Sequence, residues 1–220
     1  MIKFEINKEE VLRYLFYNNQ KIDSRLNTLI DESIEEMERT IDGKSVYKFF
    51  QLNREEELSI DGTNIVLKGR DIKRHLENSN SCILIGVSLG HKVDTIIRYY
   101  EKLDMTKAII LDSCASVAIE DIINNINGNL ETIVSKDKKI LTSRYSPGYG
   151  DWPLDIQRNI LDVLESSKTI GLNLTSHNIL IPRKSITAII GVMDNKFKKI
   201  EYNCLNCSKY NDCNFRKGEF

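Results

Sequence analysis

The sequence predicts an α/β (α+β) domain, and three observations carry that prediction. Apolar runs of strand length, CILIGVSLG from Cys82 and ITAIIGVM from Ile186, alternate with amphipathic stretches of helix length. No Gly-, Pro- or Ser-rich linker divides the chain. Its 220 residues suffice to bury one sizeable core. The expected division is a helical and strand region over 1–80 packed on a core over 81–200, with a cysteine-rich tail over 201–220.

The elements follow in order. Residues 5–20 read as a helix in which Val11, Leu12, Leu15 and Phe16 share a face. Residues 24–40 read as a second, with Leu26, Leu29, Ile30, Ile34 and Met37 on one stripe and Ser24 as its N-cap. VYKFFQL (46–52) and NIVLKG (64–69) read as strands around an acidic turn. DIKRHLENSN (71–80) reads as a short helix whose His75 faces solvent. A buried strand starts at 81, SLG turns the chain, and Val93, Ile96, Ile97 and Tyr100 mark the next helix. AIILD (108–112) reads as a strand, with Ser113 or Ser116 opening a helix that ends at the NGN turn of 127–129. A polar segment (131–140), a helix near 154–165 and a strand over 186–193 complete the list.

Composition narrows the function. With 31 basic and 32 acidic residues the formal charge is −1, so no broad basic surface is available for nucleic acid. No apolar stretch reaches the length of a bilayer span, and MIKFEINKEEVLRYLFY makes a poor signal peptide. The expected location is cytoplasmic. Five cysteines, an odd number, argue against a disulfide framework. Cys82 and Cys114 fall inside apolar segments and read as small core residues.

RYSPGYGDWP (144–153) concentrates two of the three prolines and the only tryptophan. Pro147 restricts its own φ and biases Ser146 to extended geometry, while Gly148 and Gly150 allow a ligand close to the backbone. Arg144 offers a rigid fork of donors for a carboxylate or phosphate. Tyr145, Tyr149 and Trp152 offer flat faces for an adenine-like ring or for a soft cation such as a sulfonium. A tight structural loop packed by its own aromatics fits the same residues, and no phosphate-loop pattern is present. Asp155 reads as a first-turn acid favouring a helix dipole rather than half of an acid pair with Asp151. Downstream, Pro182-Arg183-Lys184-Ser185 puts a basic dyad before a buried strand.

The chain ends with Cys204, Cys207 and Cys213, a CxxC knuckle plus a third thiol. Such a set suits zinc, or an iron–sulfur cluster with one open iron, with Cys82, Cys114 or a histidine as a further ligand. Thiol redox chemistry and free thiols fit the spacing as well.

Arg144-Tyr-Ser-Pro-Gly-Tyr-Gly-Asp-Trp-Pro, followed by Leu154 and Gln157, resembles the activation domain of cobalamin-dependent methionine synthase. LTSHNILIPRKSITAIIG resembles that family's second segment, and LGHKVDTIIRYYEKLDMTKAIILDSCASVAIEDIINNI resembles the body of the domain, so the similarity covers roughly 80–193. The resemblance implies a mainly antiparallel twisted sheet with flanking helices and a loop that binds S-adenosylmethionine. Arg144 matches the arginine that grips the ligand's polar end, and Tyr149 the tyrosine of the Pro-Gly-Tyr element. Tyr145 falls where backbone meets ligand, Pro147 and Gly148 shape the loop, and Pro182 and Ser185 frame the pocket. The implied role is reductive reactivation of a corrinoid-binding methyltransferase, in which a reductant prepares the partner's cobalamin for the methyl group. The family's cobalamin, homocysteine and folate modules have no counterpart in these 220 residues, which implies a subunit acting in trans. Ile189-Ile190 replaces the family's Trp-Tyr, and Ser176 stands near a family acid, so a corrinoid-docking module that does not use the ligand is an alternative. A cysteine-ligated zinc or iron–sulfur redox protein is the other.

Overall fold

A computed structural model describes residues 2–17 and 21–197. Its centre is formed by β3 (Ser79–Ser88) and β7 (Ser185–Asp194), which pair antiparallel from Ser88 opposite Ser185 to Ser79 opposite Met193. β1 (Lys44–Asn53) flanks β3 and carries the short β2 (Ser59–Ile60); β4 (Lys139–Tyr145) flanks β7. The order β2-β1-β3-β7-β4 is antiparallel throughout. A two-stranded ribbon, β5 (Asn173–Leu174) with β6 (Leu180–Ile181), stands beside the sheet.

Both faces of this sheet are covered, and the two-residue repeat of the central strands shows it. Ile83, Ile85 and Val87 of β3, with Ala188, Ile190 and Val192 of β7, enter one core. Cys82, Leu84 and Ile189 enter the other. Strands buried on both faces need apolar residues at every position, which is why both segments read as unbroken apolar runs. The first core is closed by α1 (Lys8–Tyr14), α2 (Ser24–Thr40), α4 (His91–Leu103) and α5 (Met105–Ser135). The second is closed by α3 (Arg70–His75), Trp152, α6 (Ile156–Leu164) and the Leu58–Leu67 segment, with α7 (Ser166–Ile170) alongside.

The largest departure from the sequence expectations is α5. Residues 108–112 are not a strand, 127–129 are not a turn, and 131–135 are helical: one 31-residue helix runs through all three. Asp104 starts it by accepting a hydrogen bond from the Lys107 amide at 3.1 Å. Between residues 108 and 123 the helix lies against the sheet, α2 and α4 and buries most of its circumference, leaving only a narrow polar row and no broad amphipathic pattern. An apolar pentapeptide inside such a helix has the pattern of a strand. Residues 64–69 form no strand either; Val66 makes an isolated bridge to Ser59.

Smaller corrections concern helix ends. α1 spans Lys8–Tyr14, capped by Asn7, and Phe16 at φ 60° leaves its apolar face for solvent. Asp23, not Ser24, caps α2. α3 ends at His75, and that histidine is buried rather than solvated. α6 stops at Leu164 because Glu165 is left-handed at φ 51°.

Candidate functional site

The site begins with a bulge in β4. Leu141 pairs with Val192, yet Arg144 pairs with Ile190, so β4 advances three residues while β7 advances two. One extra residue inverts the facing of everything beyond it. Arg144 therefore arrives opposite Ile190 on the α5 side, and Tyr145 opposite Ile189 on the Trp152 side. Without the bulge the two side chains would exchange faces.

His75 and Gly191 hold the bulge in place. The His75 Nε2 lies 2.9 Å from the Ser143 carbonyl oxygen, to which it donates, and 3.0 Å from the Thr142 hydroxyl. Gly191, opposite the extra residue, donates its amide to Thr142 Oγ1 at 2.8 Å. A Cβ at position 191 would meet Ser79, Leu76 and Thr142, so only glycine fits there. Burial holds the His75 imidazole below its ordinary pKa, partly offset by the Ser143 bond.

From the bulge the chain enters the aromatic loop. The Tyr145 ring lies 4.9 Å from His75 and 6.0 Å from Trp152, and its hydroxyl donates to the Tyr149 carbonyl at 3.1 Å. Pro147 is buried, and Gly148, at φ 89°, donates its amide to the Trp152 carbonyl at 2.9 Å. Trp152 is a buried core residue. Tyr149 projects outward with 62% of its surface exposed. Asp151 accepts the Arg70 and Asp71 amides at 2.7 and 3.0 Å, bolting the loop to the first turn of α3. Those two bonds hold its carboxyl below the usual range.

Arg144 itself belongs to β4 rather than to the loop. Its Nη1 donates to Asn124 Oδ1 at 2.9 Å and its Nη2 to Glu120 Oε2 at 3.2 Å, both on α5. Sequence reasoning missed these two partners. Their four-residue spacing places them on one helix face, but nothing local ties that face to Arg144. One and two turns earlier on the same row, Ser116 and Asp112 receive Lys184. α5 thus carries a polar row, Asp112, Ser116, Glu120 and Asn124, beneath two cations.

Pro182 lies between β6 and β7, and Ser185 is the first residue of β7. The Ile181–Pro182 bond is cis, and Ser185 Oγ donates to the Pro182 carbonyl at 2.7 Å. Ser185 lies four residues from Ile189, the partner of Tyr145, a strand distance of about 13 Å. It anchors the strand end and does not meet Arg144 directly. β4 pairs with β7 only as far as Ile189, so Ser185–Ala188 has no strand on that side among the described residues.

Cys204, Cys207 and Cys213 lie outside the described residues. Cys82 and Cys114 are buried free thiols pushed up to about 12 by burial, so both stay protonated. Among the described residues no cluster of three or more His, Cys, Asp or Glu could hold a metal. None of their helices is long and apolar enough to cross a membrane.

No protein-family model matches the chain, and no curated protein does. Among solved structures, a crystal structure of the MetH reactivation domain bound to AdoHcy is similar to it, with a TM-score of 0.56 at 16% identity. The match covers 89% of this chain and 79% of that one. At that identity the likeness is one of fold: a twisted antiparallel sheet with flanking helices.

Proposed function

We propose that the protein binds S-adenosylmethionine along residues 144–149 and supports reductive reactivation of a corrinoid-binding methyltransferase, such as a cobalamin-dependent methionine synthase. One observation carries the reading. A positioned arginine and an exposed tyrosine flank a Pro-Gly turn, on a fold similar to that of a domain crystallised with AdoHcy.

The residues present suit the ligand. Arg144 spends one N–H bond on Asn124 and one on Glu120, and its remaining donors have no partner among the described residues. They can take the ligand's carboxylate in a charge-assisted bond. The Tyr149 face is open to a sulfonium. Tyr145 holds the loop from behind through its hydroxyl. S-adenosylmethionine supplies an activated methyl group, and an external reductant readies the partner's cobalamin to receive it. The protein's own contribution is orientation and a shielded meeting of two cofactors.

Isothermal titration of the protein with S-adenosylmethionine tests the reading, and no saturable binding refutes it. Arg144→Ala should weaken binding about 10- to 150-fold, the worth of a hydrogen bond to a charged group. The same change should cost about 1 kcal/mol of stability or less, because its ion pair is partly exposed. A protein that fails to bind the ligand yet forms a complex with a corrinoid protein would be a docking module instead.

A further inference from the structure

We infer that Glu120 determines specificity for the amino-acid end of the ligand: it receives the α-ammonium while Arg144 receives the α-carboxylate. The inference rests on the proposed binding of S-adenosylmethionine. It assigns to a helix residue, distant in sequence from the loop, the recognition of one chemical group.

The geometry is that of a dipolar clamp. Arg144 Nη2 and Glu120 Oε2 stand 3.2 Å apart, and each side chain keeps a face in solvent, 25% for Arg144 and 46% for Glu120. Glu120 uses only Oε2 here; Oε1 accepts no hydrogen bond among the described residues. A free anionic oxygen therefore lies beside a cation with free donors. An α-amino acid presents the mirror of this arrangement, a carboxylate and an ammonium on one carbon. Docked head to tail, each ligand charge meets its opposite, and neither protein charge loses its existing partner.

Asn124 makes the arrangement directional. It accepts from Nη1 at 2.9 Å, so the guanidinium is held at two of its nitrogens and cannot swing over Glu120 to neutralise both oxygens. Glu120 and Asn124 are four residues apart on α5, whose other side is packed against the sheet core. The clamp is thus mounted on a rigid element and has little ordering left to do on binding.

Four ligands test this on the folded protein: S-adenosylmethionine; its decarboxylated form, which keeps the ammonium alone; S-adenosylhomocysteine; and methylthioadenosine, which lacks the amino-acid end. Glu120→Gln should weaken the first three about tenfold or more and leave methylthioadenosine unchanged. Arg144→Ala should weaken S-adenosylmethionine and S-adenosylhomocysteine and spare the decarboxylated ligand. If Glu120→Gln weakens S-adenosylmethionine but spares the decarboxylated ligand, Glu120 merely orients Arg144 and the inference is overturned. Equal affinity of Glu120→Gln and wild type for every ligand overturns it too, while leaving the proposed function standing. No saturable binding by the wild-type protein overturns both. Thermal unfolding of each variant confirms that the comparison is made on folded protein.

Discussion

Replacing Gly128 with alanine should stabilise the protein. Gly128 lies in the second half of α5, seven residues before its last residue, Ser135, and is exposed. A Cβ built there meets nothing within 4 Å, so no packing penalty opposes the change. Glycine in a helix interior is less favourable than alanine by about 0.8–1.0 kcal/mol, because it has more backbone freedom to lose. The gain should therefore be about 0.8 kcal/mol. With urea slopes of about 1–3 kcal/mol/M, the midpoint should rise by about 0.3–0.8 M. The melting temperature should rise by about 2–3 °C. Urea unfolding followed by far-ultraviolet circular dichroism reads the first number directly. An unchanged or lowered midpoint at constant slope would refute the reasoning, because a glycine holding a turn between its two asparagines loses stability on gaining a side chain.

Gly191→Ala should behave in the opposite way. Its Cβ would crowd Leu76 and Thr142 at 2.9 and 3.0 Å, so a loss of about 1–3 kcal/mol is expected, together with weaker ligand binding as the β4 bulge shifts; an unaltered unfolding midpoint would contradict that. His75 gives a pH signature. Its folded-state pKa is lowered, so the unfolded chain takes up the proton first, and the contribution is complete above about pH 6.5. It is lost as pH falls through the folded-state value. The wild-type unfolding midpoint should therefore drop between pH 7 and 5 more steeply than that of His75→Gln, and parallel profiles would count against a buried neutral imidazole.

What the sequence discloses depends on whether a local pattern has one structural meaning. β3 and β7 are legible because both-face burial demands apolar residues at every position, and the turn at Leu89–Gly90 fixes where the next helix begins. α5 is not, because its first half is buried on most sides and gives runs that a strand also gives, and its Asn-Gly-Asn suggests a turn where packing of the flanking Ile126 and Leu130 sustains a helix. His75 looks like a solvated residue between two basic neighbours and an acidic turn; its burial comes from β4, contributed by the chain 67 and 68 residues later. The loop chemistry of Arg144, Pro147, Gly148 and Tyr149 is readable locally. The clamp from Glu120 and Asn124 is not, since it exists only once the β4 bulge has turned Arg144 toward α5.

The pair of hydrogen bonds that Asp151 accepts from the start of α3 has a consequence for anyone who would transplant the loop. Grafted alone onto another sheet, residues 144–153 would carry their phenols and arginine, but Asp151 would have no amides to grip and Gly150 no Asp71 beside it. The strand beneath would also lack the histidine that keeps its extra residue in step. The smallest portable cassette is therefore discontinuous: residues 142–153, which add Thr142 and Ser143 of the bulge to the decapeptide, the segment Gly69–His75 that lies some eighty residues upstream, and a receiving strand with glycine at the position of Gly191.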